Sequence, residues 1–117
     1  LSKPLGVGIL SAALKKERLS DAAYQDLIAI TTKLNKPGQV LAQLDTVHAL
    51  TDVTGFGLAG HLLELCRGAK LSAQIQWDAI PVIEEAVKLV QEDVYTGASV
   101  RNWNAYGHEI QMSLYSN

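Results

Sequence analysis

Residues 50–65, LTDVTGFGLAGHLLEL, decide how the chain is read. Glycines stand at positions 55, 57 and 60, with an acid, Asp52, and two hydroxyls, Thr51 and Thr54, ahead of them. Upstream, TVHALTDV (46–53) is apolar and β-branched enough for a short buried strand. Downstream, GFGLAGHLLELCRGA reads as a helix with Leu58, Leu62, Leu65, Cys66 and Ala69 on one face and Gly68 as its stop.

Three readings of the turn stand side by side. GFGLAG fits G-x-G-x-x-G, and Asp78 follows at the end of the next predicted strand, as in a dinucleotide fold. Against this, two helices precede the strand, and Asp52 would set a negative charge beside a pyrophosphate with no cation between them. An Asp at a strand end next to a helix N-terminus suits Mg²⁺, which takes oxygen ligands and commonly bridges a carboxylate to substrate phosphates. The glycine N–H groups then face phosphate or shape the loop. In the third reading Asp52 or Thr54 only caps the helix, and the glycines allow close packing.

Outward from the turn, GVGILSAALKKE (6–17) has helical spacing at Val7, Leu10 and Leu14. Ser20-Asp21 predicts a helix start, followed by Ala23, Tyr24, Leu27, Ile30, Thr31 and Leu34 at helical spacing. NKPG (35–38) predicts its stop, with another turn or two of helix over QVLAQL. KLSAQIQW (70–77) alternates as a half-buried strand would, with Leu71, Ala73, Ile75 and Trp77 on one side. IPVIEEAVKLVQED predicts a helix with Val82, Ile83, Ala86, Val87 and Val90 inward, and Glu84, Glu85 and Lys88 on a solvated face. YTGASVRNWNAYGHE, from Tyr95 on, reads as a long loop. Together these elements predict an α+β (mixed α/β) domain over residues 1–117, with a sheet packed by helices and incomplete in this chain.

Composition narrows the function classes. The 117 residues are 48% hydrophobic and 19% charged, which is globular rather than disordered. A formal net charge of −2, with ten dispersed Lys and Arg, gives no basic footprint for nucleic acid. No apolar run nears the ~20 residues of a membrane span, and no signal peptide is visible. The lone Cys66 permits no internal disulfide, which fits a reducing, cytoplasmic location. The opening LSKPLGVG and the ending MSLYSN suggest a piece of a longer protein.

The segment TDVTGFGLAGHLLE closely resembles the selenophosphate synthetase (selenide, water dikinase) family of the aminoimidazole ribonucleotide synthetase-like superfamily. SKPLGVGILSAALKK is similar to the family's T-K-P-L-G-x-G helix start, with Ser2 where Thr is usual, and RNWNAYGH is similar to its Arg-Asn…Tyr-Gly segment. The resemblance implies conversion of selenide, ATP and water to selenophosphate, AMP and phosphate, with Mg²⁺ as cofactor. It also implies a homodimeric enzyme with an N-terminal domain that binds ATP and carries the nucleophilic Cys or selenocysteine and a Lys. This chain would be most of the C-terminal domain, packed against that N-terminal domain, and would hold no catalytic residue itself. By the same resemblance Asp52 is the metal ligand, and Thr51, Thr54, Gly55 and Gly57 shape the ATP-phosphate side of the cleft. KPGQ (36–39) departs from a more Ala-rich helix start, and a later Asp-Pro-Gln-Thr-Ser-Gly-Gly segment of the family is expected beyond this chain.

Two other function classes stay open. One is another ATP-dependent enzyme of the superfamily, acting on a nucleotide or thiamine-phosphate substrate. The other is a noncatalytic module that dimerises through exposed apolar faces and strand edges. Among the remaining polar residues, His48, His61 and His108 lack metal-ligand spacing. His61 is expected to pack or hydrogen-bond locally, and Cys66 to be a buried structural thiol. Lys3 reads as solvated or phosphate-facing, and Arg101 and Asn102 as phosphate-facing or as ties on the loop. Trp103 and Tyr106 read as anchors of that loop.

Overall fold

A computed structural model describes residues 1–113. The ending MSLYSN, read above as a cut end, runs into the residues outside that range. The described chain is helical: α1 (Val7–Lys15), α2 (Asp21–Thr32), α3 (Lys36–Leu41), α4 (Gly57–Ala69), α5 (Glu84–Gln91) and α6 (Gly97–Tyr106), with single 3₁₀ turns at Trp77–Ala79 and Gly107–Glu109. It divides into two compact units, one of Leu1–Thr51 with Ala73–Thr96, the other of Asp52–Ser72 with the chain from Gly97 on.

The first unit is built on α1, α2 and α5. Leu10, Ala13, Ala23, Leu27, Ile83, Ala86, Leu89 and Val94 make one buried apolar cluster, with Val7, Ile9, Ala12, Leu19 and Ile30 packed against it. The first helix begins at Gly6, whose φ of 127° lies in the left-handed half of backbone space. A Cβ there would stand 2.7 Å from Ala86 Cβ, so glycine also sets how closely α1 approaches α5. Ser20 caps α2 as its sequence predicts, accepting from the Ala23 N–H at 3.2 Å. Arg18 pairs with Glu92 at 2.9 Å on the surface.

The sheet expected in the α+β reading is not found. Among the described residues the sole β pairing is an isolated parallel bridge between Leu5 and Val82, with Leu5 N–H donating to Pro81 O and Ile83 N–H to Leu5 O, each at 2.8 Å. Residues 46–53 and 71–76 have strand-like composition but form no ladder, and most of them are exposed. A strand is stable only within a ladder that pairs its N–H and C=O groups, and the one bridge among the described residues lies at Leu5 and Val82, outside both segments.

Other helix expectations are corrected in part. Residues 95–109 are mostly helix α6, not a loop. Their Gly residues stand at the two ends, at 97 and 107, so the interior ASVRNWNAY carries no breaker. The break expected near NKPG is found, α2 ending at Thr32, and the short helix after it begins earlier than QVLAQL: Asn35 is the N-cap of α3 and Pro37 lies in its first turn, where a missing N–H costs nothing. Helix α4 passes through Gly68 and ends with Lys70 in the left-handed conformation, φ 55°. In α5 the inward residues are Ile83, Ala86 and Leu89, whereas Val82, Val87 and Val90 are exposed.

Candidate functional site

The second unit pairs α4 with α6 and carries the glycine turn. Residues 51–56 of that stretch are exposed. Gly57 has φ +72°, a conformation that L side chains rarely adopt, and its N–H donates to Thr54 O at 2.9 Å to close the turn. No side chain caps α4. The Thr54 hydroxyl, one of the two caps offered by the sequence, lies 3.0 Å from His61 Nε2 instead.

His61 is the buried polar residue of this unit, 8% exposed, with its ring tilted against Phe56 at a centroid distance of 5.7 Å. Its Nδ1 faces Glu64 Oε2 at 3.4 Å without good hydrogen-bond geometry. A lone pair on Nδ1 would repel that carboxylate, whereas an N–H is attracted to it. In the neutral ring this electrostatic preference puts the proton on Nδ1, makes Nε2 the acceptor and makes the Thr54 hydroxyl the donor. The Thr54 oxygen then keeps lone pairs but no proton for a further partner.

Helix α6 reaches the same turn. Asn102 Nδ2 donates to Gly55 O at 2.7 Å, and the Tyr106 hydroxyl donates to Phe56 O. Residues 102 and 106 are four apart on a helix, so they share a face. Gly60 admits the tyrosine: a Cβ at that position would lie 3.0 Å from Tyr106 Cε1 and 3.0 Å from Phe56 Cβ. At the far end of α6, Trp103 lies over Gly107, where a Cβ would come within 2.8 Å of the indole. Arg67 of α4 pairs with Glu109. A cleft of about 250 Å³ is lined by Phe56, Gly60, Glu64, Arg67, Ala105 and Tyr106. It is smaller than the ~300 Å³ at which ordinary ligand pockets begin.

The predicted site residues are thus partly gathered. Asp52, Thr54, Gly55 and Gly57 belong to this unit, while Thr51 closes the other. Asp52 is exposed. Among the described residues no group of three or more His, Cys, Asp or Glu converges to hold a metal ion. The donor set therefore fits one ligand to Mg²⁺ and not a complete site, since a Mg²⁺ shell needs six oxygens. His48 and His108 are exposed, Cys66 is half-buried rather than buried, and Arg101 is exposed on α6. Lys3 is half-buried in the first unit. Asn102 and Tyr106 act on the turn itself, a role that reading them as loop residues did not reach. The signal available was their i, i+4 spacing.

The chain is 60% identical to a selenide, water dikinase of Burkholderia pseudomallei over 112 residues, which cover 96% of this chain and 32% of that protein. It is 58% identical to a selenide, water dikinase of Pseudomonas straminea over 113 residues, covering 97% of this chain and 32% of the relative. It is 48% identical to one of Rhizobium meliloti over 110 residues, covering 94% and 32%. The chain thus spans about a third of the length of the curated relatives it matches. Over residues 1–99 it matches the family described as AIR synthase related protein, C-terminal domain, and it belongs to that family.

Proposed function

We propose that this chain is the C-terminal part of a selenide, water dikinase, which makes selenophosphate, AMP and phosphate from selenide, ATP and water. The observation that carries the reading is the 48–60% identity to selenide, water dikinases across 94–97% of the chain, with the T-D-V-T-G-F-G turn inside the matched length. In this reading the nucleophile and its Lys lie in an N-terminal domain, and the whole enzyme is a cytoplasmic homodimer. No helix among the described residues is long and apolar enough to cross a membrane.

Asp52 supplies one oxygen ligand to Mg²⁺, and carboxylates of the N-terminal domain supply others. When bound, Mg²⁺ neutralises the ATP phosphates. Thr51, Thr54, Gly55 and Gly57 form the phosphate-facing side of the turn. Exposure of Asp52 supports this role, because a ligand shared between domains has to be reachable from outside its own. The deciding experiment is selenide-dependent ATP turnover by the full-length protein, wild type against Asp52→Asn, across a Mg²⁺ titration. Activity is expected to collapse in the variant, with partial recovery at best in excess Mg²⁺. Wild-type turnover that ignores selenide would reject the substrate, and an Asp52→Asn enzyme equal to wild type would reject the metal role.

A further inference from the structure

Three consecutive residues of the exposed turn are each held by a side chain from a helix. Thr54 is held by His61 through its hydroxyl, Gly55 by Asn102 through its carbonyl, and Phe56 by Tyr106 through its carbonyl. We infer that His61, Asn102 and Tyr106 are positioning residues that fix the 52–57 turn in the conformation presenting Asp52 to its cation. The inference rests on the reading of Asp52 as a cation ligand given above.

The physical need comes from the sequence of the turn. Gly55 and Gly57 give its backbone more freedom than any other residue pair would, so an unrestrained turn would spread Asp52 over many orientations. Each orientation that must be lost on binding weakens the cation, and restraints made in advance remove that cost. The restraints here come from α4 and α6, which are regular elements. The partners are 7, 47 and 50 residues away in sequence, so two of the three restraints come from tertiary structure and add to the local Gly57 N–H to Thr54 O bond. Gly60, the third glycine of the motif, takes its role from the same arrangement. It leaves the space in which the Tyr106 ring lies, 3.0 Å from where a Cβ would be, and so serves the clasp and not a phosphate.

A purely structural clasp would change stability alone, whereas a positioning clasp also changes cation affinity. The test uses the full-length protein with ATP, following Mn²⁺ binding by electron paramagnetic resonance and the Mg²⁺ dependence of turnover. Asn102→Leu removes the amide at similar volume, and Tyr106→Phe removes only a hydroxyl. His61→Asn withdraws the nitrogen facing Thr54, whereas His61→Gln returns an amide to that position. The first three are expected to weaken Mn²⁺ binding and raise the half-saturating Mg²⁺ by about five- to tenfold, the size of one neutral hydrogen bond. Turnover at saturating Mg²⁺ falls less, and His61→Gln restores most of the affinity. Tyr106→Phe is the least disruptive change, so misfolding of a His61 variant leaves the test intact. Wild-type Mn²⁺ affinity in Asn102→Leu and Tyr106→Phe, with Asp52→Asn weakened, overturns the inference and leaves the Asp52 reading standing. Wild-type affinity in Asp52→Asn itself removes that reading, and the inference falls with it.

Discussion

Asn102 Nδ2 donates to the carbonyl oxygen of Gly55 at 2.7 Å, joining positions 47 residues apart. The contact exists because residues 97–106 are helical, which places Asn102 and Tyr106 on one face where they meet successive carbonyls of the turn. Arg101→Pro, in the interior of that helix, is expected to cost about 3 kcal/mol, through a lost N–H and a ring clash. Arg101→Ala, on the exposed face, is expected to stay within about 0.5 kcal/mol. Chemical denaturation of the two variants measures the difference, and equal stabilities would mean that the segment is a loop after all.

Gly60→Ala tests the contact between α4 and α6. The new methyl would stand 3.0 Å from both Phe56 Cβ and Tyr106 Cε1, and neither the ring nor the helix backbone can yield freely. A loss of about 1–3 kcal/mol is expected from overpacking, despite the better helix propensity of alanine. A stabilised Gly60→Ala protein in a thermal melt would show that the two helices are not in contact there.

The register of α5 is decided by a pair of neighbours. Leu89 is 4% exposed and Val90 48%. Leu89→Ala is expected to cost about 2–5 kcal/mol and Val90→Ala less than about 1 kcal/mol. The reverse order in urea unfolding would return the helix to the face read from sequence.

Lys88 provides a pH test. Its Nζ lies 3.0 Å from Glu84 Oε1, and that hydrogen bond with its charge attraction holds the ammonium pKa above the ordinary 10.5, with a smaller contribution from Glu85. A raised folded-state value means that the stabilisation is fully present below 10.5 and is lost as pH climbs through the raised value. The pair is exposed and screened by salt, so the effect belongs in a titration and not in a stability curve. Following the Lys88 ε-methylene by NMR, Glu84→Gln is expected to lower the midpoint toward 10.5, and an unmoved midpoint would show the pair does not persist in solution.

The helices were legible wherever the sequence carries its own boundary chemistry. Ser20 ahead of Asp21 marks a cap, and Val7, Leu10 and Leu14 mark a period. The register of α5 was less so, because Val87, Leu89 and Val90 are all apolar and periodicity alone does not rank them. The strands were misread for a different reason. Alternation at Leu71, Ala73, Ile75 and Trp77 describes a face, but a strand also needs a pairing neighbour, which is a property of the rest of the fold. Of the site, the turn and Asp52 stand out in T-D-V-T-G-F-G, while its supports do not. Asn102 and Tyr106 become partners of Gly55 and Phe56 only through contacts that span 47 and 50 residues of sequence.

The interleaving of the two units bears on how the chain can be made. The path runs through the first unit to Thr51, crosses to the second at Asp52, returns at Ala73 and leaves again at Gly97. During vectorial synthesis α1 therefore emerges with Leu10 and Ala13 uncovered on the side that Ile83, Ala86 and Leu89 will fill, and it waits until α5 has followed. A ribosome stalled between Ser72 and Glu84 would hold a nascent chain with that apolar face open to chaperones. No cut at a single peptide bond can separate one unit whole from the other.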